Sequence, residues 1–163
     1  MGVFMKVDAG GGREGIQGDS KFAKHEGWIV CESCTIPTTR PESQTTMGKV
    51  TDRTRANLDF EDMQVKKAMD KASPGLMRWN LYGDARTVTV HFTDEKEWYL
   101  QLILKNVILT KLDIDADAEG AASETLSLDF TYIDYQYRTK QPDGKTYDAA
   151  IKMEYDIALG EVQ

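Results

Sequence analysis

The chain has 163 residues, enough for one domain with a buried core. Its 27 acidic against 20 basic residues give a formal charge of −7, which argues against nucleic acid or an anionic membrane as the main partner. No apolar run approaches the roughly 20 residues a membrane-spanning helix needs, so no membrane insertion is expected; Met1 to Asp8 is too short and polar for a signal peptide, which implies a cytoplasmic start.

Alternation of apolar and polar residues, the mark of strands, runs through most of the chain. Val3, Met5 and Val7 alternate with Phe4, Lys6 and Asp8 in the first predicted strand. A glycine-rich polar stretch, Gly10 to Gly27, leads to a second strand over Trp28–Thr35. Ile36 to Arg53 is long and irregular, with Pro37, Pro41 and Gly48, and a loop of that length in a compact domain is usually functional or disordered. Arg55 to Glu61 then places Ala56, Leu58 and Phe60 on one face.

A strand-like run ends at Lys66-Lys67, and a short helix follows. Ser73 reads as its N-cap, Pro74 suits the first helical position, and Gly83 ends it; Leu76, Met77, Trp79 and Leu81 supply apolar side chains. Thr87–Phe92 alternates again, with Val88, Val90 and Phe92 on one face and His91 on the polar one. Trp98, Leu100, Leu102 and Leu104 line a long strand, and Asn106 to Ile114 bends into the next. Leu126, Leu128, Phe130 and Tyr132 form one face of a further strand. Gln141-Pro142-Asp143-Gly144 is a turn, and Tyr147–Ala158 closes the chain with Ile151, Met153, Tyr155 and Ile157 on one side. The expectation is a mainly β protein: one domain over residues 1–163, a barrel or sandwich of about eight strands with one short helix at about residues 74–82.

Residues with chemical potential are few. Cys31 and Cys34 have no second pair and only His25 and His91 to join them, so zinc is not expected; in a strand, residues three apart point to opposite faces, and the thiols read as packing groups. Asp113, Asp115 and Asp117 with Glu124 mimic a calcium loop, but Ala118 replaces its turn glycine, so a solvated acidic turn is expected. His25 reads as an edge residue beside a core Trp28. No nucleophile elbow, phosphate loop or paired carboxylates are present, so the residues predict neither an enzyme nor a cofactor.

Five stretches in order carry a resemblance. Lys66 with Asp70-Lys71-Ala72-Ser73-Pro74-Gly75-Leu76 resembles "K…DKxSPxL"; Gly15-Ile16-Gln17-Gly18-Asp19-Ser20 resembles "GIxGES"; His25-Glu26-Gly27-Trp28-Ile29 resembles "HxxWI". Tyr99 and Leu102 before Val107 resemble "YxxxxLxxV", and Glu124 to Phe130 resembles "ETVSLNF". Together they resemble the haemolysin co-regulated protein family, the tube subunit of the bacterial type VI secretion system. Residues 9–14 look like an insertion before the "GIxGES" stretch. The resemblance implies a homo-hexameric ring that stacks into a tube, partnered by a contractile sheath and a spike protein, with effectors in the lumen. It implies cytoplasmic assembly and export without a signal peptide. It also makes Ile36–Arg53 an arm reaching a neighbouring subunit, with Ile36, Pro37, Arg40, Pro41, Lys49 and Arg53 as its contact residues. From the residues alone, a monomeric β-barrel binding a small ligand or carbohydrate and a hydrolase with scattered carboxylates remain alternatives.

Overall fold

The structure, a computed structural model, describes residues 1–39, 59–95, 97–157, 159, 161 and 162. In chain order its elements are β1 (Gly2–Val7), β2 (Ile29–Cys31), β3 (Ser33–Thr35), β4 (Thr38–Thr39), β5 (Asp59–Phe60), β6 (Met63–Ala68), α1 (Ser73–Tyr82), β7 (Arg86–Thr93), β8 (Trp98–Ala116), β9 (Ala122–Asp129), β10 (Tyr132–Tyr137), β11 (Ile151–Asp156) and β12 (Glu161–Val162). The protein is mainly β with one described helix, as the alternation predicts.

Ten strands form one antiparallel sheet, and β4 pairs with β5 apart from it. One path runs β12-β11-β10-β8-β7-β1-β2; the other leaves β8 through β9 and β6 to β3. The sheet therefore curls round until two of its three ends, β2 and β3, are separated in the chain by one residue, Glu32, whose N–H donates to Lys66 O at 2.7 Å. The curl encloses the core: Met5, Val7, Ile29, Val65, Val88, Leu104, Val107, Leu126 and Leu128 are all buried there.

β8 makes this curl possible. Its first part pairs with β7 and β10, and from Ile108 it pairs with β9. Asn106 sits between the two parts at φ 54°, the bend expected at that position. Such a φ is tolerated by Asn more readily than by most side chains.

The strand-like run expected to end at Lys66-Lys67 is β6, and its buried positions are Met63, Val65 and Lys67. Two expectations are corrected. The predicted strand through Leu126–Tyr132 is two, β9 and β10, broken at Phe130 and Thr131 where the chain passes from one part of β8 to the other. Ser73 is the first helical residue and does not cap; its hydroxyl accepts from Asp70 N–H at 3.1 Å. Asp70 Oδ1 instead takes the Ala72 N–H at 3.0 Å. The helix end is as expected: Gly83 is left-handed at φ 70°, and its N–H donates to Trp79 O at 2.9 Å. Leu76 and Trp79 are buried, whereas Met77 and Leu81 face outward. Trp79 Nε1 donates to Asp84 O, and Asn80 Nδ2 donates to Leu109 O, which seats the helix on the bent part of β8.

Candidate assembly surfaces

Two pairs of signature stretches meet in space, and each meeting is a structural clasp. In the first, Lys67 on β6 stands directly opposite Glu124 on β9, its Nζ donating to Glu124 Oε2 at 2.7 Å and to Asp70 Oδ1 at 2.9 Å. Ser73 Oγ donates to the same Glu124 oxygen at 3.0 Å. The buried cation is thus Lys67; Lys66, which the sequence pattern picked out, is exposed. Removing such charges from water is costly unless each is paired and hydrogen-bonded; Glu124 meets this through Oε2, while its buried Oε1 has no hydrogen-bond partner among the described residues. The network fixes the start of α1 against two strands.

The second clasp joins Gly15–Ser20 to His25–Ile29. Gly18 N–H donates to Gly27 O at 2.8 Å, Gly27 N–H to Ser20 O at 2.9 Å, and Ser20 N–H to Trp28 O at 3.0 Å. A Cβ on Gly18 would lie 2.5 Å from Ile29 Cα, so only glycine allows this approach. His25 is not at an edge: it is 2% exposed, and Trp28 is the half-buried partner. His91, placed on the polar face by its alternation, is also buried, because the Lys21–Trp28 loop covers it.

The two histidines bond to each other, His25 Nε2 to His91 Nδ1 at 2.7 Å, and His91 Nε2 lies 2.7 Å from Gln101 Oε1. A carbonyl oxygen only accepts, so His91 carries its proton on Nε2 and its Nδ1 accepts from His25 Nε2–H, an order assigned from the network. Phe4 stacks on His25 with centroids 5.0 Å apart, and Trp28 and Trp98 flank His91. Burial holds both imidazoles below their ordinary pKa, His91 at about 4.

The remaining chemical candidates are spent on packing. Cys31 and Cys34 do not point to opposite faces; the irregular Glu32 between β2 and β3 lets both pack on the core, and burial pushes each thiol up to about 12. Asp117 Oδ1 accepts from Glu119 N–H and Ala121 N–H at the tip of the β8–β9 hairpin, whereas Glu124 turns inward to Lys67, so the calcium-loop spacing does not bring its residues together.

What the fold leaves outward is apolar on one side. Tyr135 stands opposite Met153 and Tyr137 opposite Ile151, so these four share one face of β10–β11. At its inner end Ile133 and Tyr155 pack on the core; at its outer end Tyr137 is 43% and Ile151 72% exposed. The same face continues into a cleft of about 480 Å³, where Ile36 and Phe60 look across to Leu100 and Met153. Ile36 thus reaches the core margin, and Pro37 O accepts from Glu61 N–H at 3.2 Å. The other expected arm residues, Arg40, Pro41, Lys49 and Arg53, lie outside the described residues. Sequence reasoning missed this ladder because Tyr135 and Tyr137 alternate with Asp134 and Gln136 as any half-buried strand would. Among the described residues, no helix is long and apolar enough to cross a membrane.

A family model for the type VI secretion system effector Hcp matches residues 4–137. Solved structures share the fold. A type six secretion system protein aligns with TM-score 0.86 at 15% identity, covering 99% of each chain. A type VI secretion system effector from Yersinia pestis aligns at 0.71 and 22% identity over 94% of this chain and 98% of its own. Hcp1 from Salmonella typhimurium aligns at 0.71 and 19% over 100% of both. No curated relative matches the sequence.

Proposed function

This chain belongs to the Hcp family of type VI secretion proteins, and from that premise we propose that it is the subunit of the system's inner tube. Six copies close into a ring, rings stack, and a contractile sheath expels the tube behind a spike protein, with effectors in the lumen. The role is architectural rather than catalytic; assembly takes place in the cytoplasm and export follows. The observation that carries this reading is the family match over residues 4–137.

The apolar ladder on β10–β11 supports it. A ring needs heterologous contacts that close by rotation, and Tyr137 and Ile151 offer one copy an uncovered apolar face. We assign the Ile36–Arg53 stretch to contact with a neighbouring copy, where Arg40, Lys49 and Arg53 would meet carboxylates of a net acidic protein. Replacing it with a short Gly-Ser link and following secretion and tube length tests that assignment.

The test of the main reading is native mass spectrometry with negative-stain images of purified protein. Rings of about six subunits are expected. A monomer across a wide concentration range would defeat it. That outcome, with an apolar small molecule retained in the cleft of about 480 Å³, would favour a monomeric binding module instead.

A further inference from the structure

Residues 12–17 and the first turns of α1 form a second concavity, of about 580 Å³. Arg13, Lys71, Arg78 and Arg86 stand in its wall, and Glu14 is the one carboxylate among the described lining residues. Two of the cations are held in place. Arg86 is 4% exposed; its Nε donates to Asp84 Oδ2 at 2.8 Å and its Nη1 to Glu14 O at 3.0 Å. The Arg13 guanidinium lies 3.6 Å over the Tyr82 ring, and its Nη1 is 3.7 Å from Asp84 Oδ1. Lys71 and Arg78 are exposed and make no ion pair among the described residues.

These cations gather on a chain of net charge −7. Asp84 already pairs with Arg13 and Arg86, and Glu14 is exposed, so the positive excess of the concavity rests on Lys71 and Arg78, where a bound anion would relieve the repulsion of like charges. Planar guanidinium groups fixed by other contacts match the paired oxygens of a phosphate group. We propose that this pocket binds a phosphate-type oxyanion. The site is independent of the tube reading, since none of its four cations belongs to the apolar ladder or the cleft.

Isothermal titration of the purified, assembled protein with inorganic pyrophosphate tests it. Saturable binding at one anion per subunit is expected, weakening as salt is raised because partly exposed charges are screened. Lys71→Glu with Arg78→Glu should weaken binding by at least about tenfold, the scale of losing one charge-assisted contact. Both side chains are exposed, and an unchanged circular dichroism spectrum would show that the fold is retained. Lys111→Glu, an equal type of charge change on the β8–β9 hairpin, should leave binding as it was. No saturable binding, an equal loss with Lys111→Glu, or an equal response to acetate would overturn the proposal.

Discussion

Lys67 on β6 and Glu124 on β9 are direct cross-strand partners, 2.7 Å apart, and their side chains are 0% and 1% exposed. An ion pair thus occupies two positions where the surrounding pattern supplies Met63, Val65, Leu126 and Leu128. Its energetics differ from those of a surface pair, because either charge left alone has no water to solvate it.

Lys67→Met alone should therefore cost about 3–5 kcal/mol, and Glu124→Leu alone less, because Lys67 keeps its ion pair with Asp70. The double substitution should recover most of that loss, since both charges leave together. Urea unfolding of the three variants measures it; additive losses in the double variant would refute a coupled pair.

Acid should weaken the protein through the histidine pair. His91 is held at about 4 in the folded state, against about 6.5 when unfolded. Between those values the unfolded chain binds the proton and the folded one does not, so stability falls as pH drops from about 6.5 to about 4 and levels off below. Allowing for partial hydration round the ring, the loss is on the order of 2 kcal/mol. His91→Gln should flatten this part of the urea midpoint–pH curve; an unchanged curve would show that the imidazole is not the titrating group.

Both thiols should resist alkylation. With each held at about 12, the thiolate is scarce at pH 8, and iodoacetamide should label Cys31 and Cys34 only on unfolding. Cys31→Ala with Cys34→Ala should cost roughly 1–3 kcal/mol in total through lost packing. Rapid labelling of the folded protein, read by mass spectrometry, would contradict the burial.

Tyr137→Ser with Ile151→Lys should leave the melting temperature of the separated subunit nearly unchanged, because both side chains are exposed. Ring formation should shift to concentrations at least about tenfold higher, as when a central apolar contact is lost. Sedimentation over a dilution series reads the shift; unaltered assembly would place the ring contact elsewhere.

How much of this could be read from the residues depended on how local the cause was. The helix end at Gly83, the bend at Asn106 and the turn closed by Gly144 N–H on Gln141 O rest on neighbouring residues, and each is where the pattern puts it. The start of the helix was misread because Ser73 is claimed by Glu124, 51 residues away. The strand ending at Lys66-Lys67 was legible, but the burial of Lys67 rather than Lys66 was not, because its partner is 57 residues distant. His91 was misassigned since its burial comes from the Lys21–Trp28 loop, and a register irregularity at Phe92 and Thr93 upsets the alternation there. The break at Phe130 was not legible, because the alternation of Leu126, Leu128, Phe130 and Tyr132 runs across it without interruption.

The bend at Asn106 has a consequence for how the molecule opens. Because β8 is a single strand from Trp98 to Ala116, the ladders it makes with β7 and β10 and the ladder it makes with β9 have no independent backbone. Melting one ladder releases a rod that the others need, so the curled sheet lacks a seam along which half of it could fray. Amide hydrogens in β7, β9 and β10 should accordingly exchange with solvent by one shared, global route, while those of β12, attached to β11 alone, exchange by local opening.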